Sequence, residues 1–266
     1  MAVRARILVL TEDSSRQAQP TLQKLLRHAL KLVVEGVDLN PALVRLEPLP
    51  DNDRALHAVQ STRWKEQPPP RETILLLGAI AARLLEPSGF VVFHFDTDRV
   101  WSERHTSENR QKFETIIRNG VRRILRGEAP VPVNQRTRAT LTAEQIENAL
   151  RRLIILSPCY SIESWLYQAT RELLVHCQER HPPGEHVLRE RHARLIDSWT
   201  MDRTLLDDIS QPKGEPLPCV GAHHNEELAK TFPAEDVWLA ERSFHESVER
   251  LRACPELLAA LGGPGA

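Results

Sequence analysis

Two acidic residues follow a short apolar segment of the chain, a position where carboxylates can hold a metal ion. Asp96 and Asp98 come directly after the run Gly89–Phe95 and are separated only by Thr97. Two carboxylates this close repel each other unless a cation or water lies between them. Their oxygen atoms suit hard divalent ions such as Mg²⁺ or Mn²⁺. The alternative is an acidic turn that caps the next helix without binding a metal.

Two further acids stand at comparable positions in the chain. Glu12 follows the apolar run Ile7–Leu10, and Glu163 lies just beyond the run Leu153–Leu156. Because the carboxyl ends of parallel strands share one edge of a sheet, these acids are expected to converge with the Asp pair on one crevice. A carboxylate-lined metal site suits phosphoryl chemistry, since the ion activates water and stabilises the leaving oxygen. For Glu163, charge complementation at a helix N-terminus is the simpler alternative.

The elements that must position these acids are predicted from hydrophobic periodicity. Short apolar segments typical of buried strands occur at residues 7–10, 42–46, 90–95 and 153–156. Apolar residues at helical spacing predict helices between them, at residues 22–33, 52–61, 72–85, 108–126, 142–150 and 161–177. This alternation favours an α/β fold with a mostly parallel, doubly wound sheet.

The character of the chain changes beyond about residue 181. No strand pattern is evident there, and short helices separated by proline and glycine are predicted at residues 185–197, 202–209, 225–230, 234–252 and 255–261. We therefore expect an α/β domain over residues 1–180 and a helical C-terminal appendage over residues 181–266, packed on the sheet domain.

The composition is that of an ordinary globular protein. Of 266 residues, 41% are hydrophobic and 27% are charged, and the formal net charge is −1. Contact with nucleic acid would therefore require a local basic patch. The four cysteines are widely spaced, which predicts reduced thiols in a cytoplasmic protein. No apolar stretch reaches the roughly 18 residues of a membrane span, so no membrane partner is expected.

The acidic segments also resemble a known signature. L-V-L-T-E, which ends at Glu12, and the later F-H-F-D-T-D are similar in order and spacing to the Toprim domain, which has a Glu after its first strand and a DxD after its third. S-P-C-Y-S-I-E-S-W-L, which contains Glu163, resembles an element of RloB-like and OLD-type stand-alone Toprim nucleases linked to phage defence. The chain departs from the pattern in having Thr11 and Asp13 beside the first Glu, and two extra residues between Pro158 and the later Glu.

This resemblance implies a Toprim-like sheet and a divalent-metal-dependent nuclease that hydrolyses the phosphodiester bonds of DNA or RNA. Glu12, Asp96 and Asp98 would be catalytic and would bind Mg²⁺ or Mn²⁺, with Glu163 as a further metal ligand. The implied partners are nucleic acid, a companion protein such as an ATPase, and a second copy of the chain. The alternative is a non-catalytic metal- and nucleic-acid-binding or regulatory subunit that works with a partner protein.

Basic residues near the predicted crevice could contact the phosphates of a substrate. Arg99, Arg104 and His105 follow the Asp pair closely and are predicted to bind substrate, although the arginines could instead screen the acids. The predicted helix at residues 108–126 has a basic face, which is expected to be a solvated surface, with a phosphate-contacting flank as the alternative. This face comprises Arg110, Lys112, Arg118, Arg122, Arg123 and Arg126.

Three other patterns have simpler explanations. F-D-T-D also resembles the haloacid-dehalogenase phosphatases, but in that family the acidic motif follows the first strand. Cys219, His223 and His224 lack a fourth ligand at a recognisable spacing, which favours a polar loop over a zinc site. His94 lies within a predicted strand and is expected to be a core residue.

Overall fold

A single parallel sheet forms the centre of the fold. The computed structural model describes residues 3–13, 15–49, 66, 69–128, 141–181, 184–202, 206, 219 and 221–263. Four strands lie in the order β2-β1-β3-β4, and all neighbouring pairs are parallel. They are β1 (Ala5–Thr11), β2 (Val44–Glu47), β3 (Gly89–His94) and β4 (Leu153–Leu156). The α/β class and the parallel sheet predicted from the sequence are confirmed.

The two faces of the sheet belong to separate hydrophobic clusters. Successive residues of a strand point to opposite faces, so Ile7 and Val9 contribute to the first cluster and Leu8 and Leu10 to the second. Every residue of β3 and of β4 is buried. This double burial explains why these strands are continuously apolar instead of alternating with polar residues. Gly89 begins β3 at a point where a Cβ atom would overlap the carbonyl group of Arg83.

The second cluster is covered by three helices from the middle of the chain. They are α2 (Arg71–Leu85), α3 and α4 (Ala143–Arg151). Helix α3 runs through Glu108–Lys112, a π-helical segment Phe113–Arg118, and Asn119–Leu125. Helix α4 begins with the capping box expected from the sequence, formed by Thr142 and Gln145.

The first cluster is covered by α1 (Ala18–Val33) and by the helices that follow β4. These are α5 (Glu163–Leu166), α6 (Thr170–Gln178), α7 (His186–Met201), α8 (Ala222–Leu228), α9 (Ala234–Leu239), α10 (Ser243–Arg252) and α11 (Pro255–Leu261). Trp165, Trp199, Phe244 and Leu257 from these helices are buried in the same cluster as Ile7. Within the described part of the chain, no helix combines the length and the apolar character needed to cross a lipid bilayer.

Two helices that were expected to be continuous are divided in the structure. The prediction for residues 161–177 corresponds to α5 and α6, which are interrupted at Ala169, with a ψ angle of 58°. The prediction for residues 234–252 corresponds to α9 and α10, which are interrupted where Glu241 has a φ angle of 53°. Residues 52–61 and most of 202–209 lie outside the described residues.

The expectation of four reduced cysteines is wrong for one pair. Cys177 on α6 and Cys219 are joined by a disulfide, with their Cα atoms 4.7 Å apart. Cys159 and Cys254 are free and buried. The bonded cysteines are separated by 42 residues, so their approach depends on how the C-terminal helices pack and is not visible as a local spacing.

Candidate functional site

Glu12 and Asp96 lie side by side because β1 and β3 are neighbouring parallel strands. The Glu12 N–H donates to the carbonyl oxygen of His94 at 3.1 Å, which continues the ladder one residue beyond β1. The Glu12 side chain then reaches across to the segment after β3, where its Oε1 atom accepts a hydrogen bond from the Asp96 N–H. The structure therefore brings these two predicted site residues together at the carboxyl edge of the sheet.

Each of these two carboxylates has an oxygen atom without a hydrogen-bond partner. Glu12 Oε2 and Asp96 Oδ1 are buried and accept no hydrogen bond from any residue that the structure describes. A buried acceptor without a donor is unfavourable by roughly 1–3 kcal/mol. The Asp96 side chain as a whole keeps 26% of its exposed area, so a small ligand can approach it. Any cation or proton that reaches the pair would stabilise it.

Burial and mutual repulsion raise the pKa values of both acids. Desolvation raises the pKa of Glu12 to about 7, in spite of the hydrogen bond from Asp96. Desolvation likewise raises the pKa of Asp96 well above its ordinary value. Repulsion from nearby carboxylates raises it further, and these belong to Glu12, Glu163, Asp98 and Asp13. Five carboxyl groups thus influence one another at this edge of the sheet.

His94 connects β1 to the acidic pair. Its Nδ1 atom lies 3.1 Å from Thr11 Oγ1, and its Nε2 atom lies 3.4 Å from Asp96 Oδ1. Thr11 Oγ1 accepts a hydrogen bond from the Asp13 N–H, so its own hydrogen can be donated to His94 Nδ1. Burial lowers the pKa of His94 to about 4, which keeps the ring neutral at pH 7. In this tautomer the single ring proton is on Nε2, and neither this nitrogen nor Asp96 Oδ1 has a hydrogen-bond partner among the described residues.

The segment after β3 is held by hydrogen bonds to the segment after β4. Thr97 Oγ1 donates to the Pro158 carbonyl at 2.8 Å and accepts from the Tyr160 N–H at 2.9 Å. The Asp98 N–H donates to the Tyr160 carbonyl at 3.1 Å. Asp98 and Tyr160 have φ angles of 51° and 55°, which are uncommon for residues other than glycine. Such conformations cluster at functional sites, where the surrounding contacts maintain them.

Asn109 holds the Asp pair from the first turn of α3. Its Nδ2 atom donates to the Asp96 carbonyl at 2.8 Å and to Asp98 Oδ2 at 3.0 Å. Lys112 Nζ in turn donates to Asn109 Oδ1 at 3.3 Å. Asn109 is only 4% exposed, so these contacts are made away from bulk water. It is a positioning residue for both aspartates.

Glu163 and Asp96 line the same small pocket. The pocket has a volume of about 160 Å³ and is also lined by His94, Asp13 and Asn225. Asn225 on α8 donates from Nδ2 to Glu163 Oε1 at 2.8 Å, so a C-terminal helix contributes to the site. Pockets for larger organic ligands are usually about 300–1,000 Å³. This one suits a hydrated ion or a phosphate group.

The predicted metal ligands are gathered at one edge but do not form a closed coordination shell. Within the described residues, no three His, Cys, Asp or Glu side chains converge closely enough to hold a metal ion. The unpartnered oxygens of Glu12 and Asp96 are nevertheless the hard donors that Mg²⁺ and Mn²⁺ prefer. Mg²⁺ in particular is often bound by only one or two carboxylates, with water and substrate phosphate as its other ligands. The donor chemistry of these two acids therefore suits a magnesium ion, although Glu12 itself does not line the pocket.

We refer to the small pocket lined by Asp96 and Glu163 as the acidic pocket. Arg99, Arg104 and His105, which were predicted to bind substrate, do not line it. Arg104 is bonded to Glu246 on α10, from Nε at 3.0 Å and from Nη2 at 2.9 Å, and its guanidinium lies over the Trp101 ring. Arg99 Nη1 contacts the carbonyl oxygen of Asp98 at 3.4 Å. His105 is exposed and lies in a different pocket.

Part of the basic face of α3 is neutralised by neighbouring groups. Arg118 is paired with Glu114 at 3.2 Å, and Arg122 with Glu147 at 3.2 Å. Both acids are about half exposed, with 49% and 54% of their side-chain area accessible. These contacts agree with a solvated surface at this part of the helix, which the sequence also favoured.

Several residues of the site were not anticipated. His94 is a core residue as expected, being 1% exposed, but its position 3.4 Å from Asp96 Oδ1 was not predicted. Asp13, Asn109 and Asn225 had no predicted role. The run of two acids at residues 12–13 was a visible signal for Asp13. Asn225 is 62 residues from the glutamate that it contacts, and nothing in the sequence indicates their approach.

Comparison of the chain with protein-family models, with curated proteins and with solved structures finds no match.

Proposed function

We propose that the chain is a divalent-metal-dependent nuclease with a Toprim-type acidic site. The observation that carries the proposal is the pair of adjacent carboxylates on β1 and β3, each with a buried oxygen that has no partner among the described residues. Two such groups destabilise a fold unless a ligand offsets their desolvation. The order of the acids, a Glu after the first strand and a DxD after the third, supports a Toprim-type assignment.

Glu12 and Asp96 would hold Mg²⁺ or Mn²⁺. The bound ion would polarise a phosphate oxygen and lower the pKa of an attacking water. Without a bound ion, the pKa of Glu12 is about 7, in the range where a carboxyl group can both accept and return a proton near neutral pH, so Glu12 would serve either in this way or as an ionised ligand of the metal. Asn109 would keep both aspartates in place, and His94 would lie beside the Asp96 carboxylate, with its Nε2 atom 3.4 Å from Oδ1.

A second candidate function is a non-catalytic subunit that binds metal and nucleic acid and acts with a partner such as an ATPase. One observation favours it, because three arginines that could have contacted the phosphates of a substrate are engaged with carboxylates. Arg104, Arg118 and Arg122 are each paired with a glutamate. A surface of this kind attracts free nucleic acid less strongly than an unpaired basic rim.

The two candidates are separated by a cleavage assay with plasmid, linear DNA, total RNA and tRNA, each in Mg²⁺, Mn²⁺ or EDTA. The nuclease is expected to cut at least one substrate in the presence of metal. Asp96→Asn should abolish this cutting, because the variant removes a metal ligand and keeps the side-chain volume. Asp236→Asn is the matched control, since Asp236 is exposed in the first turn of α9.

Cutting that persists in Asp96→Asn, or that persists in EDTA, would contradict the nuclease proposal. Absence of cutting, combined with a metal-dependent rise in melting temperature that Asp96→Asn removes, would favour the non-catalytic subunit. The metal measurement separates these outcomes because binding of an ion to the folded state alone raises stability, by an amount that grows with the logarithm of its affinity.

A further inference from the structure

A second pocket lies between the start of α3 and helix α10. It has a volume of about 350 Å³, and it is lined by His105 and Arg110 on one side and by His245, Glu246 and Arg250 on the other. None of these residues lines the acidic pocket. We refer to this second pocket as the basic pocket.

Glu246, which lines the basic pocket, binds two arginines, and one of these, Arg250, also lines the pocket. Arg104 donates to Glu246 Oε1 at 3.0 Å and 2.9 Å, and Arg250 Nη2 donates to Glu246 Oε2 at 3.4 Å. Glu249, which also lines the pocket, is paired with Arg252 at 2.7 Å. Both glutamates that line the pocket are therefore already paired with arginines.

Arg110 adds a positive charge that has no carboxylate partner among the described residues. Its Nη1 atom lies 3.4 Å from His105 Nδ1. Because a guanidinium group can only donate, His105 Nδ1 must accept, and the ring proton is on Nε2. Burial lowers the pKa of Arg250, and repulsion from Arg110 lowers it further. An anion in the pocket would accept hydrogen bonds from Arg110 and His105 and would offset this repulsion.

The basic pocket and the acidic site share two structural elements. Asn109, which holds Asp96 and Asp98, is followed directly by Arg110 on the same helix. Consecutive helical side chains point about 100° apart, so α3 presents one residue to each site. Arg250 Nη1 also donates to Ser157 Oγ at 2.6 Å, and Ser157 directly follows β4. Both pockets therefore lie at the carboxyl edge of the sheet.

We propose that the basic pocket binds a backbone phosphate of a polynucleotide, next to the phosphodiester that the acidic site would hold. This inference rests on the proposed function, because it assigns a contact to the same substrate. Arg110 and His105 supply N–H donors, and a guanidinium group can bind a phosphate through two parallel hydrogen bonds. A protein with a net charge of −1 needs such a local patch to bind nucleic acid.

The test measures binding of labelled single-stranded DNA, duplex DNA and RNA by fluorescence anisotropy in EDTA, so that no metal-dependent cutting occurs. The dissociation constant is followed over salt concentrations from about 50 to 200 mM. Arg110→Gln is expected to weaken binding and to reduce the slope of log K against log salt by about 0.7–0.9, the value for one phosphate contact. Arg123→Gln is the matched control, because Arg123 is exposed on the same helix.

A salt slope for Arg110→Gln equal to that of the wild type would overturn the inference, as would an equal reduction in Arg123→Gln. A reduced affinity for inorganic phosphate without any change in oligonucleotide binding would also overturn it, because the pocket would then take a free anion. Failure of the nuclease proposal is distinguishable. In that case, no substrate is cut in Mg²⁺ or Mn²⁺ while the difference in salt slope between Arg110→Gln and Arg123→Gln remains.

Discussion

The two ends of strand β1 carry similar charged side chains in opposite arrangements. Near the amino end, Arg6 binds Glu47 at 3.1 Å and Glu86 at 2.8 Å. Arg83 reaches the same two carboxylates at 2.6 Å and 3.4 Å. At the carboxyl end, Glu12 and Asp96 form no ion pair with a lysine or arginine of the described residues. One group of acids is balanced by arginines and the other is not.

The pKa values show the consequence of this difference. Burial raises the pKa of Glu47, but hydrogen bonds from Arg6 and Arg83 outweigh it and hold that pKa below its ordinary value. Glu12 is more deeply buried than Glu47 and has no arginine beside it, and desolvation raises its pKa to about 7. Natural proteins retain unfavourable groups of the second kind chiefly at functional sites. The amino end of the strand stabilises the fold, whereas the carboxyl end is a candidate for chemistry.

The largest expected effect is a gain in stability from Glu12→Gln in EDTA at high pH. The ordinary pKa of a glutamate is 4.5, and burial raises that of Glu12 to about 7. The protonated Glu12 side chain makes its whole contribution to the free energy of unfolding below pH 4.5. This contribution is lost as the pH rises through about 7. Because the variant has no charge to bury, it should exceed the wild type by roughly 3 kcal/mol at pH 8, with little difference at pH 4.5. Urea unfolding across this pH range measures the difference, and a constant difference would contradict the assignment.

The second largest effect is a loss of stability in Arg83→Met, which removes an arginine from the ion pairs near the amino end of β1. This variant keeps the apolar stem of a side chain that is only 12% exposed and removes the donors to Glu47 and Glu86. The two carboxylates would then share Arg6 alone, and the free energy of unfolding should fall by roughly 2 kcal/mol at neutral pH. The loss should shrink at low pH, where the carboxylates are protonated. An equal loss at low pH would point to packing alone as the cause.

Asn109→Ala tests how strongly the Asp pair depends on its positioning residue. Loss of the hydrogen bonds to Asp96 and Asp98 should weaken the affinity for Mn²⁺ by roughly tenfold, as is typical of residues that orient metal ligands. Isothermal titration calorimetry with Mn²⁺ measures the change. Asn119→Ala, an exposed position on the same helix, is the control and should bind Mn²⁺ like the wild type. Equal affinity in the two variants would remove Asn109 from the site.

The smallest effect is expected for Arg122→Met. This change removes an exposed ion pair with Glu147, and exposed pairs contribute roughly 0.2–1 kcal/mol. The unfolding free energy should fall by less than about 0.5 kcal/mol, a fraction of the loss in Arg83→Met. A loss as large as that of Arg83→Met would show that the arrangement at the amino end has no special role.

The sheet and the position of its acids could be predicted because both follow from local patterns. Continuous apolar segments identify β3 and β4, and parallel pairing places Glu12 and Asp96 at one edge. The pairing also explains why the two acids share a hydrogen bond across 84 residues of sequence. The metal, the Toprim resemblance and the cleavage activity stay predictions.

The rest of the site depends on how distant helices pack, which local spacing does not contain. Arg104 was expected to bind substrate, but its guanidinium group is bonded to Glu246, which lies 142 residues away in the sequence. Asn225 reaches Glu163 only because α8 packs against the beginning of α5. The sequence around His94 would be the same whether its Nε2 atom lay among apolar side chains or beside an aspartate. A single sequence cannot distinguish these outcomes.

The two clusters on the sheet have a consequence for synthesis on the ribosome. Among the residues that the structure describes, the second cluster uses none beyond Ile155, so its helices can close over β1, β3 and β4 once those segments have emerged. The first cluster needs residues as far along as Leu261. This face of the sheet, which α1 covers only in part, must therefore remain incompletely covered while more than a hundred further residues are translated. During that interval the emerging chain presents a surface on which a chaperone could act, and long-range closure of this kind is slow.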